Sequence, residues 1–224
     1  MTSNTDAPQR ALVAQGISKS FGTNDGTARL ILDNVSITVT PSQIVGLRGP
    51  SGVGKSTLGR ILAGLETPDH GQCLCDGEII GPVRSRKGQP VRGQIGMIFQ
   101  SPRRSCDPRM TLGRTIATAA ATRKTQDTTI QTLIDSVGLT PDLLQRFPNQ
   151  VSDGQLQRAA VARTLAAQPR YLICDEMTAM LDAANSAAIV AVIRTYADTG
   201  GGVLMISHEH RLLDAVCDNI KQLD

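Results

Sequence analysis

The sequence has no tryptophan, and its aromatic residues amount to only 2% of the chain. A surface this poor in rings is a weak platform for stacking nucleobases, which argues against a single-strand nucleic-acid binder. Charge of one sign is also scarce. The 23 Lys and Arg against 20 Asp and Glu leave a formal charge of +3, too mild to imply nucleic acid or anionic lipid. Paired cysteine motifs are missing. Cys73, Cys75, Cys106, Cys174 and Cys217 are odd in number and show no CxxC spacing, which suits a reducing compartment. Cys73-Leu-Cys75 is at most half a metal site, because no second pair with zinc-ligand spacing accompanies it. Long apolar runs are absent as well. The clearest, Ala187 to Ile193, falls far short of the ~20 residues that cross a bilayer. The opening MTSNTDAPQR has no apolar core of the kind a secretory signal needs, so none is expected. No internal repeat or low-complexity tract is visible.

What the chain does have is alternation. At 224 residues it is long enough for one domain with subdomains. Residues 1–10 read as a disordered lead-in and 11–224 as that single domain. Val35, Ile37 and Val39 alternate with Ser36 and Thr38 at the period of a strand, and Gly22 to Thr27 reads as a polar loop. Ile44 to Leu47 reads as a buried strand, followed by a Gly-rich turn and an amphipathic helix over Thr57 to Leu65. Gly77 to Gln89 reads as loop and edge strand, and Ile95 to Phe99 as a further strand. Residues 111–146 carry helical spacing and few strand signals, as an inserted helical region would. From Gln150 the pattern is helix, strand (Tyr171 to Cys174), helix (about Asn185 to Tyr196), strand (Val203 to Ile206), helix. Alternation of buried strands with helices predicts an α/β fold with a mostly parallel sheet covered on both faces.

Gly49-Pro-Ser51-Gly52-Val-Gly54-Lys55-Ser56 matches G-x-x-x-x-G-K-[ST] in full, with Thr57 next, between a predicted strand and a predicted helix. Glycines let backbone N–H groups turn inward around phosphate oxygens, and the helix N-terminus adds partial positive charge. Lys55 is expected to reach the terminal phosphates and the Ser56 hydroxyl to ligand Mg²⁺. Tyr171-Leu-Ile-Cys-Asp175-Glu176 ends an apolar strand in two carboxylates, at the sheet edge where ligands bind in open α/β folds. Asp175 suits a role toward Mg²⁺, and Glu176 the role of general base or water-orienting group.

Val151-Ser152-Asp153-Gly154-Gln155 admits two readings. Ser-x-x-Gln is a capping box, with Asp153 an acid in the first turn of a helix. Alternatively this helix start closes over a nucleotide phosphate, where an added negative charge is a liability.

The Gly49–Ser56 turn, Gln100, Ser152–Arg158, Cys174–Glu176 and Ile206–His208 occur in the order and spacing of an ABC transporter ATP-binding subunit, which the chain resembles from about Leu12 to Asp224. That resemblance implies a P-loop NTPase, RecA-like core with an N-terminal antiparallel β-subdomain and an inserted α-helical subdomain over about 101–155. It implies ATP and Mg²⁺ as cofactors, with Ser56, Gln100 and Asp175 toward the metal. Phe21 falls where the family stacks an aromatic on adenine; the other reading is a core or strand-end phenylalanine. Gln100 resembles the glutamine that senses the membrane partner, His208 the histidine at the γ-phosphate, and Asp182 the aspartate that bridges two subunits. His210 reads as an ordinary surface residue.

In this family ATP is clamped between one subunit's P-loop and the other's signature, usually Leu-Ser-Gly-Gly-Gln. Ser152, Gly154 and Gln155 keep that pattern, while Val151 and Asp153 depart from it. At ~6 Å and an effective dielectric of ~20, one charge pair interacts by roughly 3 kcal/mol. A helix N-terminus returns only about 0.3–1 kcal/mol to an acid. Asp153 is therefore expected to point away from the phosphate. Met177 replaces the usual Pro after the Walker B glutamate, and Cys174 a small or aliphatic residue, but no charged catalytic group is lost.

Ser105, Pro108, Arg109, Met110 and Thr111 are similar to a run in the dipeptide, oligopeptide and nickel importer subfamily, with Asp107 for Asn and Cys106 for Leu. A chain ending at Asp224 resembles the short, nickel or metallophore form rather than peptide members with a C-terminal extension. The implied activity is ATP hydrolysis energising uptake of a small solute. The implied partners are a second ATPase subunit, identical or not, membrane permease subunits and, indirectly, a solute-binding protein, with no nucleic acid. The implied location is cytoplasmic, peripheral on the inner face of the cell membrane. The competing reading is a weakly hydrolytic regulatory half of an asymmetric pair. A soluble relative acting on DNA or ribosomes needs a coiled-coil insert or tandem cassettes, and neither is present.

Overall fold

The computed structural model describes residues 10–22, 27–81, 93–179 and 181–224. Three readings fall partly or wholly outside them: the lead-in up to residue 9, residues 23–26 of the polar loop, and residues 82–89 of the Gly- and charge-rich stretch. Met180 also lies outside.

β1 (Leu12–Gly22) and β2 (Ala28–Val39) pair antiparallel, with Leu12 opposite Val39 and Ala14 opposite Ile37. Along β2 the expected alternation holds: Val35, Ile37 and Val39 are buried, Ser36 and Thr38 exposed. With β4 (His70–Cys75) and β5 (Glu78–Ile79) they make an antiparallel sheet in the order β2-β1-β4-β5.

The second sheet is parallel, in the order β6-β7-β8-β3-β9, from Ile95–Ile98, Tyr171–Asp175, Gly202–Ile206, Ile44–Arg48 and Asn219–Gln222 respectively. β7 and β8 are buried at every position, as strands covered on both faces must be. On one face lie α1 (Lys55–Leu62) and the antiparallel sheet, in a core that includes Leu58, Ile61, Leu62, Leu204 and Ile206. On the other lie α5 (Asp153–Ala166) and α6 (Ala183–Asp198), in a core with Leu172, Cys174, Ile189 and Met205.

The helical spacing of 111–146 becomes α2 (Leu112–Ala121), α3 (Asp127–Ser136) and α4 (Pro141–Leu144). Thr111 caps α2 and Thr140 caps α4, each accepting from a backbone N–H of the first turn. Ile116 and Ala120 of α2 and Ile134 of α3 share a core with Ala159 and Ala162 of α5. Enclosed from both sides, α5 has no exposed face, and Leu156, Gln157, Ala159, Ala160, Val161 and Ala162 are all buried.

The structure corrects the tail. After α7 (His210–Val216) the chain does not end as helix but adds β9, parallel to β3. Leu223 N–H donates to the Arg48 carbonyl at 2.8 Å, which ties the C-terminus to the base of the Gly49 turn. No helix among the described residues is long and apolar enough to cross a membrane.

Candidate functional site

The parallel register sets the strand ends level. Ile98 pairs with Cys174, Asp175 with Ile206, and Leu47 with Ile206. The residues that follow therefore emerge along one edge: Phe99 and Gln100, Glu176, Ser207 and His208, and the turn from Gly49. The carboxyl edge of an open α/β sheet is where such folds bind ligands.

The Gly49–Gly54 turn depends on its glycines. Gly52 has φ 79 and Gly54 φ 106, regions that side chains with a Cβ avoid. At Gly54 an added Cβ would lie 2.7 Å from Leu32 Cδ2 and 2.9 Å from Ile31 Cγ2, so β2 presses directly on the turn. At Gly49 it would overlap the carbonyl of Leu223, the residue that follows the unanticipated β9, so that strand's end abuts the turn. Lys55 is buried, and its ammonium donates to the carbonyls of Gly49 and Pro50 at 2.8 Å each. Both partners are neutral and an ammonium has three donors, so its charge and its third N–H remain for an anion in the turn.

Ser56 Oγ donates to Asp175 Oδ1 at 2.8 Å. Burial pushes the Asp175 carboxyl above its ordinary 3.8, and Glu176 adds to that, against the Ser56 hydrogen bond and the Arg60 and Lys55 charges. A buried carboxylate so raised, touching a hydroxyl, is a place short of positive charge. Its hard oxygen donors fit Mg²⁺. Gln100 Nε2 donates to Glu176 Oε2 at 2.8 Å, and His208 Nδ1 lies 3.3 Å from Glu176 Oε1. Glu176 sits at φ 47, a left-handed conformation uncommon with a Cβ, and its N–H donates to the Ile206 carbonyl at 3.0 Å. The carboxylate is thus held at the junction of three strand ends.

Phe21, Ser51, Gly52, Gly54, Lys55, Ser56, Thr57, Gln100 and Glu176 line one open cavity of about 330 Å³. Asp175 joins it through Ser56, His208 through Glu176 and Gly49 through Lys55. Phe21 is 42% exposed and lines the cavity, with the Lys19 ammonium 5.3 Å from its ring centroid, so the strand-end residue is not a core one. A larger groove of about 1080 Å³ opens between α6 and α7, but no glycine lines it to cradle a phosphate.

The structure does not bring every expected residue to this cavity. Ser152, Gly154, Gln155 and Asp182 lie outside its lining. Ser152 and Gln155 form the capping box: Gln155 N–H donates to Ser152 Oγ at 3.2 Å, and Ser152 N–H to Gln155 Oε1 at 3.0 Å. Asp182 caps α6, accepting from Asn185 N–H at 2.8 Å. Asp153 Oδ1 lies 2.6 Å from Arg103 Nε, off the axis of a directed hydrogen bond. Arg103 is the partner that sequence reasoning missed; the only signal was an acid in need of a cation. Cys73 and Cys75 are both buried, with thiols pushed up to about 12 by burial, which disfavours the thiolate a metal would require. Among the described residues no cluster of His, Cys, Asp and Glu has the makings of a metal site of its own.

Comparison with known proteins adds an independent line. The ABC transporter family profile matches residues 32–179. A nickel import ATP-binding protein of Rhodospirillum rubrum is 34% identical over 223 residues, covering 95% of this chain and 80% of the relative. A methionine import ATP-binding protein of Corynebacterium efficiens is 34% identical over 214 residues, and the match spans 94% of this chain but 59% of that relative's length. A putative peptide import ATP-binding protein of Brucella ovis is 32% identical over 215 residues, covering 93% and 68%. Among solved structures, a bacterial ABC transporter cassette captured as a dimer superposes with a TM-score of 0.83 at 22% identity, covering 95% of this chain and 94% of that one. A dimeric post-hydrolysis state of the same cassette, bound to ADP and Pi, fits equally, with a TM-score of 0.83 and 22% identity over the same shares.

Proposed function

The chain belongs to the ABC transporter family, and on that footing we propose that it is the ATP-hydrolysing subunit of an importer for a small solute of the nickel, metal-chelate or peptide type. The observation that carries the reading is the single cavity in which the Gly49–Thr57 turn, Phe21, Gln100 and Glu176 meet. The turn's backbone N–H groups and Lys55 bind the triphosphate, and Phe21 offers its exposed ring to the base. Ser56, Asp175 and Gln100 would hold Mg²⁺, and the bound ion would supply positive charge to the phosphates. Glu176, braced by Gln100 and His208, orients the attacking water and accepts its proton. Catalysis of this kind is positioning and preorganised charge.

Ser152, Gly154, Gln155 and Asp182 lie beyond the cavity of their own chain. We infer that they act across an interface, closing on the nucleotide of a second ATPase subunit. Closure then drives permease subunits in the membrane, and through them solute delivered by a binding protein. On this reading the chain works at the inner face of the cell membrane. The alternative of a weakly hydrolytic regulatory half draws no support from the site, because Glu176, Gln100 and His208 are already assembled.

The test is uptake. Cells carrying Lys55→Ala in this chain, with its permease and partner intact, should lose ATP-dependent accumulation of radiolabelled nickel or dipeptide. Unchanged accumulation in cells whose Lys55→Ala chain has lost ATP hydrolysis would overturn the importer reading.

A further inference from the structure

Arg103 spends its guanidinium on one short segment. Its Nη1 donates to the Pro148 carbonyl at 2.9 Å, its Nη2 to the Val151 carbonyl at 3.2 Å, and its Nε lies 2.6 Å from Asp153 Oδ1. Two facts about the ends of this contact matter. Arg103 stands three positions after Gln100, which itself holds Glu176, in the turn Pro102–Arg104. Asp153 is the first helical residue of α5, directly after Ser152, the cap of that helix. The contact therefore joins the segment that follows Gln100 to the helix start that carries Ser152 and Gly154.

We propose that Arg103 is a positioning residue for the Ser152–Gln155 helix start and the counter-ion that makes Asp153 tolerable there. The proposal rests on the reading that this helix start meets the triphosphate bound by a second subunit. A carboxylate beside that polyanion repels it, and exclusion of water on closure strengthens the repulsion. With the guanidinium in place, the approaching phosphate meets a neutral pair, and the carboxylate is drawn toward Arg103. The two carbonyl contacts at Pro148 and Val151 fix where the helix start stands relative to Gln100. An acid at 153 and a fork-shaped cation at 103 thus form one device, in which the acid is harmful only when the cation is lost.

The experiment is a double-mutant cycle on the assembled transporter, reading kcat and KM for ATP at low and high salt. Arg103→Gln should raise KM for ATP five-fold or more, with the defect shrinking in 0.5 M salt. Asp153→Asn should stay within three-fold of the parent. The combination R103Q/D153N should return KM to within three-fold. Arg103→Lys keeps the charge but loses the fork, and its KM should fall between the parent and Arg103→Gln, a comparison that stands even if Arg103→Gln folds poorly. The proposal is overturned if Arg103→Gln leaves KM unchanged, if the combined variant is as impaired as Arg103→Gln alone, or if Arg103→Lys is as impaired. A separate arm measures ATP-dependent association of subunits by light scattering in the Glu176→Gln background. Absence of association there defeats the two-subunit reading itself, whereas association with a flat cycle defeats only the role of Arg103.

Discussion

Gln100 Nε2 and Glu176 Oε2 are 2.8 Å apart, so the second residue after β6 already grips the carboxylate after β7. The other carboxylate oxygen faces His208 Nδ1 at 3.3 Å. Replacing this carboxylate by an amide keeps the shape but removes the proton acceptor. Glu176→Gln should bind ATP within a few-fold of the parent and hydrolyse it at least ~100-fold more slowly, the scale on which general-base catalysis contributes. Nucleotide binding by fluorescence and phosphate release in a single turnover would check this together. Near-normal release removes Glu176 from the role.

The Ser56–Asp175 contact leads to a second prediction. Burial holds the Asp175 carboxyl above 3.8, so its charge is favoured once a cation arrives. Asp175→Asn removes the charge and keeps the hydrogen-bonding shape toward Ser56. We expect the dependence of ATP affinity on Mg²⁺ to weaken by ten-fold or more. Affinity for ATP measured with excess chelator should change by less than three-fold. Titration of nucleotide at several Mg²⁺ concentrations separates the two. An equal loss with and without Mg²⁺ would point to misfolding of the strand end instead.

Gly54 offers a steric prediction. Its φ of 106 and the 2.7 Å approach of Leu32 Cδ2 to a would-be Cβ make the position intolerant for two independent reasons. Gly54→Ala should abolish detectable ATP binding and lower the melting temperature by several degrees, because β2 must shift to admit the methyl group. Calorimetry of the free and nucleotide-mixed protein reads both. A variant that binds normally would show that β2 gives way at no cost.

Much of this was legible beforehand, for physical reasons. Val35, Ile37 and Val39 announce a half-buried strand by their period of two. Leu172, Ile173 and Cys174 announce a fully buried one by their unbroken apolarity. The Gly49–Ser56 turn carries its own geometry in its glycines, and Ser152 with Gln155 spelled out a capping box that the structure contains. Two things were not legible. β9 is only four residues long and half exposed, so Asn219–Gln222 lacks the pattern of a buried strand, and its place beside β3 is set by long-range pairing. The Arg103–Asp153 contact spans fifty positions, and no local rule says which cation an acid will find.

Asp218 gives the final prediction, concerning stability rather than turnover. Its Oδ2 accepts from Ile44 N–H at 2.7 Å, and Arg194 Nη1 lies 3.1 Å from Oδ1. It so pins the start of β3, the strand that carries the Gly49 turn, to the loop before β9. The Ile44 hydrogen bond, with Arg194 beside it and against some desolvation, holds the Asp218 carboxyl below its ordinary 3.8. A depressed folded-state value means the unfolded chain takes up the proton first. The stabilisation is therefore complete above the unfolded value and is lost as pH falls from about 4 through the folded one. Asp218→Asn should lower the melting temperature at pH 7 while leaving the difference from the parent smaller at pH 3 than at pH 6. Thermal unfolding followed by circular dichroism across that range measures the gap directly. A gap that stays constant with pH would mean that Asp218 acts through packing and that the Ile44 contact is indifferent to charge.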